Sequence, residues 1–343
     1  MRFVPVSSAH GFSGYSKAIR ELAYAINRRG TEVAFPPTSN YAYLPEKCYP
    51  LLKSSVQFRS DDAIFIRPLF DDVQRFSDDK KLIGNLALES SRLPERLVKE
   101  CNMDKFKQIW VPSSYVYDIA VKNNIIEDKL RIVPHGYDPD IFKFKKRDIN
   151  DIYTFLFVGG YTGKGDRKGA DLLARAFHEE FKDEDVKLLF KINTTYGPFP
   201  VQDICLNNNI HYITNNLLDK QMVDVYKSGD CLVSPSYGEA FNMTVLEAMA
   251  CGLPIATSRT GEMDYTLDCF SFERMFPINS DCDVPARFSP WDVGMWRRPD
   301  YNTIKYVLRN LYNDKPKKKK YKNIDNWTWD AAAKKAIKYL EEL

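Results

Sequence analysis

The sequence predicts an α/β protein built as two doubly wound, Rossmann-like parallel-sheet domains facing a cleft. Three observations carry that reading. Short apolar runs of about four to eight residues alternate with stretches of helical period, the pattern of a parallel sheet wrapped by helices. The alternation runs once to about residue 140 and starts afresh near residue 150. Between them PHGYDPDIFKFKKRD, residues 134–148, is turn-rich, then charged, with no apolar period, and reads as the interdomain connection.

Taken in order, RFVPV is a strand, a long amphipathic helix runs from Gly14 to Arg29, and TEVAF returns as a strand. AIFI and KLIGNLAL follow, then a helix from Pro94 to Cys101, the strand QIWV, a helix from Ser113 to Asn123 and the strand LRIV. In the second half YTFLFVGG runs into glycines and is followed by the amphipathic KGADLLARAFHEEF. VKLLFKI, HYIT, DCLVSPS and PIAT supply further strands, with helices at Asp219–Lys227, Met243–Cys251 and Asn302–Tyr312. WTWDAAAKKAIKYLEEL is a capped final helix. The expected domains are therefore 1–140 and 150–325, with the helix at about 328–343 crossing back to the first. In open parallel sheets ligands sit at the carboxyl ends of the strands, so two such domains make a cleft.

Composition narrows the function. Hydrophobic residues make up 44% and charged residues 28%, the balance of a soluble globular protein. No run of about eighteen apolar residues exists to span a membrane. The beginning, MRFVPVSS, reads as a buried strand and lacks the apolar core and cleavage site of a signal peptide. Seven cysteines are scattered, odd in number and without a CxxC pair, which points to reduced thiols in the cytoplasm and away from a disulfide framework or zinc site. Four histidines without ligand spacing leave no metal site of the usual kind. The net charge of +3 implies no polyanionic partner. KPKKKKYK, residues 315–322, is the local exception: a solvated linker, or a peripheral contact of Lys315–Lys322 with an anionic membrane or nucleic acid.

GGYTGKGDRKG, residues 159–169, follows a strand and opens a helix, where backbone amides and the helix dipole favour phosphate. A P-loop is excluded, because Gly163-Lys164 is followed by Gly165 and the earlier glycine position is Val158. The dinucleotide spacing fails too, with one residue too many before Gly169. What remains is a loop that delivers Arg167 and Lys168 to a helix start, where unpaired cations oppose the dipole and so imply a bound anion. HGFSGYSK, residues 10–17, is the matching turn of the first domain, with Gly11 and Gly14 able to let backbone approach a ligand.

SPSYGEAFNMTVLEAMACGLPIAT, residues 234–257, holds two glutamates eight residues apart, a spacing without meaning by itself. Its context supplies the meaning. DCLVSPS is a buried strand ending in turn formers, so YGEAFN lies at its carboxyl end, and MTVLEAMAC is a helix stopped by Gly252 and Pro254. The amides of Asn242, Met243 and Thr244, with Phe241 beside them, form a helix N-terminus suited to phosphate. Glu239 precedes that position and Glu247 lies one turn inside the helix, so each carboxylate can grip hydroxyls on one side of a diphosphate. The implied ligand is a nucleoside diphosphate with sugars at both ends.

This segment resembles the E-x7-E signature of retaining GT-B-fold glycosyltransferases, family four of glycosyltransferases (glycosyl transferases group 1). FLFVGG…RKGADLLARAF, QIWVPSSYVYD, RIVPHGYDPDIF, EAMACGLPIATSRTGEMDY and MWRRPDYNTIKYVLRNLY with NWTWDAAAKKA resemble successive parts of that family, over roughly residues 80–343. The resemblance implies a GT-B architecture with an acceptor-side N-terminal domain and a nucleotide-sugar-binding C-terminal domain. It implies that Glu247 binds the ribose, Glu239 the donor-sugar hydroxyls near C3 and C4, Lys168 with Arg167 the diphosphate, and that Gly14 approaches the phosphate. It implies a UDP- or GDP-type sugar donor, a hydroxyl acceptor of unknown identity in polysaccharide or glycolipid assembly, and no metal or other cofactor. Two departures stand out. Gly160 occupies the place of a family arginine, and no histidine matches the one that contacts the donor sugar. NLALESSRLPERL instead offers Glu89 at a strand end, either facing the cleft or pairing with Arg92 or Arg96.

Other classes compete. A metal-dependent transferase would use an Asp-x-Asp pair, met at 138/140, 183/185 and 281/283 but after no clear buried strand. A sugar-nucleotide epimerase would share the cleft and need no acceptor. A nucleic-acid base or a protein could be the acceptor, and a non-catalytic polyanion-binding module would use the lysine run alone. Oligomeric state is not legible.

Overall fold

The computed structural model describes residues 2–5, 11–35, 44–52, 63–68, 81–146, 148–161, 163, 166–194, 197–261, 274–287 and 293–343. His10, Lys164, Gly165 and residues 262–265, used in the sequence reading, lie outside the described residues. The chain divides into two compact units, one of Met1–Leu88, Arg92–Gly136 and Trp327–Leu343, the other of Glu89–Ser91 and Tyr137–Asn326. The chain changes unit between Gly136 and Tyr137, at the start of the turn-rich connection, and residues 89–91 group with the second unit.

The first unit runs β1 (Arg2–Pro5), α1 (Gly14–Arg28), β2 (Glu32–Val33), β3 (Ala63–Pro68), β4 (Lys81–Asn85), α2 (Glu95–Cys101), β5 (Phe106–Val111), α3 (Ser114–Lys122) and β6 (Leu130–Ile132). Its strands form one parallel sheet in the order β2-β1-β3-β4-β5-β6. Phe3, Val4, Ile64, Phe65, Ile66, Leu82, Ile83, Ile109, Trp110 and Val111 are all buried, as expected of strands covered on both faces. Helix α1 starts where the Ser13 side chain accepts from the Ser16 amide, and it buries Ala18, Ile19, Leu22, Ala23 and Ile26 at helical spacing. The C-terminal helix Trp329–Leu340 packs on α1. Its Thr328 cap, the two-pronged pair of Arg29 with Asp330 at 2.8 and 2.6 Å, and the Gln108 amide on the Tyr339 carbonyl hold it there. At Gly136 a Cβ would stand 2.3 Å from the Trp329 nitrogen, so the two backbones touch.

The second unit runs β7 (Tyr153–Gly160), α4 (Ala170–Glu180), β8 (Val186–Asn193), α5 (Val201–Ile204), β9 (Ile210–Ile213), α6 (Asp219–Ser228), β10 (Cys231–Ser234), α7 (Met243–Ala250), β11 (Ile255–Ser258), β12 (Met275–Ile278), β13 (Ser280–Pro285), β14 (Met295–Pro299) and α8 (Tyr301–Asp314). Six strands make a parallel sheet in the order β12-β11-β10-β7-β8-β9. Aromatic rings fill the core beneath α4, among them Phe155, Phe157, Phe177, Phe181 and Phe190. The strand order reverses between β7 and β10, and a crevice at that switch is where this topology binds ligands.

Strands β13 and β14 form an antiparallel hairpin to which the sequence reading assigned no element. SDCDVP is exposed or half-buried along its whole length, so it carries no apolar alternation to betray a strand.

The lysine run is more than a solvated linker. Lys318 is buried, with its side chain 1% exposed, and its ammonium lies 2.6 Å from the equally buried Asp230. Asp230 also accepts from the Asn150 and Thr154 backbone amides and the Asn150 side chain. The Tyr321 hydroxyl, also buried, lies 2.9 Å from the Leu253 carbonyl. Lys315, Lys317, Lys319, Lys320 and Lys322 stay exposed around these two anchors. Lys318→Met strands a buried carboxylate and should cost about 3–5 kcal/mol of stability, whereas the exposed Lys317→Met should change it by less than ~0.5 kcal/mol. Urea unfolding of both variants checks the contrast, and equal losses would remove Lys318 as the anchor.

Candidate functional site

At the switch point the loops after β7 and β10 meet backbone to backbone. Gly169, the N-cap of α4, has φ +73°, and a Cβ there would stand 2.2 Å from the Pro235 carbonyl oxygen. Only glycine fits both the left-handed conformation and the contact. Because Gly169 has no side chain to cap α4, the fully buried Asp166 supplies it, accepting from the Ala170 amide at 3.1 Å. The result is that Arg167 and Lys168, just before α4, are held against the YGE turn. The Tyr237 amide donates to the Arg167 carbonyl at 2.8 Å, and the Arg167 guanidinium donates to the Gly238 carbonyl at 2.6 Å.

Glu239 is the centre of this cluster. It is 3% exposed, with the Lys168 ammonium 2.6 Å from one carboxylate oxygen and the Arg167 guanidinium 3.4 Å from the other. Arg167 also reaches Glu89 at 3.3 Å. Gly238 admits this arrangement, since a Cβ there would lie 2.1 Å from the Glu89 carbonyl oxygen. Two carboxylates thus balance two cations in one place. The premise that Arg167 and Lys168 stand unpaired at a helix start is corrected: Glu239 and Glu89 partner them. Burial alone would raise the Glu239 carboxyl, but the adjacent Lys168 and Arg167 charges, with hydrogen bonds from Lys168 and Ser236, hold it below its ordinary value.

Glu247 lies inside α7, 4% exposed, and accepts from the Tyr226 hydroxyl of α6 at 2.8 Å. Burial first, and then the Glu247 charge, push that phenol far above its ordinary range, so it remains a donor. Asn242 takes the left-handed conformation at φ +67° ahead of α7. Its amide nitrogen donates to Ser234 Oγ at 2.9 Å and its oxygen accepts from Thr244 Oγ1 at 2.8 Å. The side chain makes no cap to the first turn, so the Met243 and Thr244 amides are not closed off by it. Phe241 is buried beside them. Glu239, Glu247, Lys168, Arg167, Glu89, Phe241, Asn242, Met243 and Thr244 therefore all fall in the second unit, while Gly14 is the first residue of α1 in the first unit.

The sequence reading missed Asp166, Ser234 and Tyr226, which hold the site residues in place, because a lone polar residue gives no signal until its partner is known. It also missed Lys191 on β8, buried with its ammonium donating to the Ile192 carbonyl and pushed down to about 8 by that burial. Its position in an otherwise apolar strand was the available signal. Among the described residues no three His, Cys, Asp or Glu side chains gather as a metal would require, and the Asp281 of one Asp-x-Asp pair is bonded to Arg298.

Residues 152–268, which carry β7 to β11 and the loops between them, match the model of the family Glycosyl transferases group 1. An uncharacterized glycosyltransferase of Methanocaldococcus jannaschii is 25% identical over 285 residues, 76% of this chain and 64% of that protein, so the match spans less than two thirds of the relative's length. Among solved structures, sucrose-phosphate synthase of Thermosynechococcus elongatus aligns with a TM-score of 0.73 at 14% identity, covering 100% of this chain and 98% of the other. HepE of Anabaena, solved in complex with UDP-glucose, aligns with a TM-score of 0.70 at 11% identity, covering 100% of both chains. The fold is that of these GT-B neighbours, and the family match lies wholly within the second unit.

The lowered Glu239 value fixes the sign of one pH effect. Its folded value lies below 4.5, so its contribution is complete above pH 4.5 and is lost as pH falls through the folded value. The stability advantage of the wild type over Glu239→Gln should be constant at neutral pH and shrink below pH 4.5. Denaturant midpoints of the two proteins across that range measure it, and a gap that widens toward acid would contradict the ion-paired Glu239.

Proposed function

We propose that the protein is a glycosyltransferase that moves a sugar from a nucleoside-diphosphate sugar of the UDP or GDP type to a hydroxyl acceptor, with retention of anomeric configuration and no metal in the chemical step. The observation that carries this reading is the arrangement at the strand switch. Glu239 and Glu247 flank the N-terminus of α7, and Arg167 and Lys168 are ion-paired to the first of them.

Each part has a task in such a reaction. The α7 amides and the Arg167–Lys168 pair receive the diphosphate, releasing the cations from Glu239. Glu239 then takes hydroxyls of the donor sugar, and Glu247, oriented by Tyr226, takes those of the ribose. The bond between the anomeric carbon and the phosphate oxygen breaks with its electron pair leaving on the diphosphate, where the two cations stabilise the growing charge. The acceptor oxygen forms the new bond on the same face, and its proton passes to the departing phosphate oxygen. The products are the glycosylated acceptor and a nucleoside diphosphate. Sugar-nucleotide binding in HepE supports the donor class. Polysaccharide or glycolipid assembly in the cytoplasm is the proposed setting.

A melting panel with UDP, GDP, ADP and CMP and their common sugar conjugates, with and without EDTA, tests the proposal. A ligand at a hundred times its dissociation constant adds about 2.7 kcal/mol of stability. One nucleoside diphosphate should raise the melting temperature selectively, unchanged by EDTA, and Glu247→Ala should abolish that shift and turnover together. No shift with any nucleotide, or a Glu247→Ala variant with unchanged affinity and turnover, overturns the reading.

A further inference from the structure

The β13–β14 hairpin has no part in the chemistry above, yet it is built onto the YGE turn. The Arg297 amide of β14 donates to the Tyr237 carbonyl at 3.0 Å, and the Arg297 guanidinium lies 3.4 Å from the Arg259 carbonyl. At the other end of the strand, the Ser91 amide donates to the Met295 carbonyl at 3.1 Å and the Met295 amide to Ser91 Oγ at 2.9 Å. The strand is thereby fixed to the turn before Glu239 and to the segment after Glu89.

Trp296 lies between those anchors. Its side chain is 4% exposed, and it faces Gly238: a Cβ at Gly238 would stand 3.0 Å from Trp296 Cδ1 and 2.1 Å from the Glu89 carbonyl oxygen. The indole ring therefore abuts the residue before Glu239, and its Cδ1 is the ring atom next to the N–H. That N–H is buried and has no hydrogen-bond acceptor among the described residues. An indole nitrogen can only donate, and buried tryptophans as a rule find an acceptor. A donor left without one costs free energy unless a ligand supplies the acceptor. At this place the ligand group is defined by its neighbour. Glu239 is an acceptor only, Trp296 a donor only, and a sugar hydroxyl is both, so adjacent hydroxyls can satisfy the two together.

We propose that Trp296 is a specificity-determining residue of the donor-sugar subsite, its indole N–H donating to a hydroxyl oxygen of the sugar held by Glu239. This rests on the glycosyltransferase reading of the same site. Lys168 and Arg167 pair with Glu239 in the structure, and their transfer to the diphosphate would free the Glu239 carboxylate for the sugar. Trp296 then separates sugars by the presence of an oxygen at that position, a discrimination that nucleotide contacts on α7 cannot provide.

The test uses the full chain, labelled at its five indole nitrogens, titrated with UDP and with UDP-glucose, UDP-galactose and UDP-N-acetylglucosamine. The Trp296 indole N–H resonance, assigned by its disappearance in Trp296→Phe, should move with at least one sugar nucleotide and stay in place with UDP. By calorimetry Trp296→Phe should bind that sugar nucleotide about tenfold more weakly, as loss of one hydrogen bond implies, while keeping wild-type affinity for UDP. Trp296→His, which keeps a ring N–H, should recover part of the difference. An indole resonance unmoved by every sugar nucleotide, or moved equally by UDP, overturns the assignment while leaving the donor reading intact. Failure of the wild type to bind UDP and all three conjugates, together with no melting shift from GDP or its sugar conjugates, overturns both. The wild-type titration stands whether or not the variants fold, with single Phe replacements of the other four tryptophans then giving the assignment by exclusion.

Discussion

A carboxylate cannot be buried in a protein alone, and the second unit is arranged around that constraint at Glu239. Removing the charge from water is costly unless cations and hydrogen bonds replace the solvent. Lys168 and Arg167 do so, but they come from the loop of a different strand, so the loops after β7 and β10 must approach within backbone contact. That is why glycine stands at 169, facing the Pro235 carbonyl, and at 238, facing the Glu89 carbonyl. One buried charge thus dictates two glycines, the capping role of Asp166 and the close seating of residues 89–91 on the second unit.

The same logic explains what could be read from the chain. Strands such as YTFLFVGG and DCLVSPS were legible because both of their faces are buried, and their boundaries agree with the structure to within about two residues. Amphipathic helices with a serine or threonine cap were equally plain, as at Ser13, Ser113 and Thr328. The hairpin was not, because its first strand is exposed along its length and its second offers only Trp296 and Pro299 to the interior. Lys318 was hidden for the opposite reason: five neighbouring lysines are exposed, and only the tertiary position of Asp230 distinguishes one of the six.

At the site, residue types and strand ends were legible, whereas pairing was not. A sequence can place Arg167 and Lys168 at a helix start, but which acid balances them is decided by the strand order, which brings β10 next to β7. Tyr226 and Ser234 fall in the same category, since each matters only through Glu247 or Asn242. The alignment with sucrose-phosphate synthase at 14% identity makes the corresponding point for the fold. Buried strands and loop geometry persist where side chains have largely been replaced, because packing tolerates exchanges of similar apolar volume.

The return of the last helix to the first unit has a consequence for how the chain is made. Arg29 and Asp330 are 301 positions apart, and α1 has no cover on that side until Trp329–Leu340 exists. At translation rates of about 5–20 residues per second, that interval lasts roughly 15–60 seconds. The second unit, made of Glu89–Ser91 and Tyr137–Asn326, has all its residues before Trp327–Leu343 of the first are added. The α1 face that Trp329–Leu340 covers is thus left open to other apolar surfaces for that interval of synthesis, an exposure the folded molecule no longer shows.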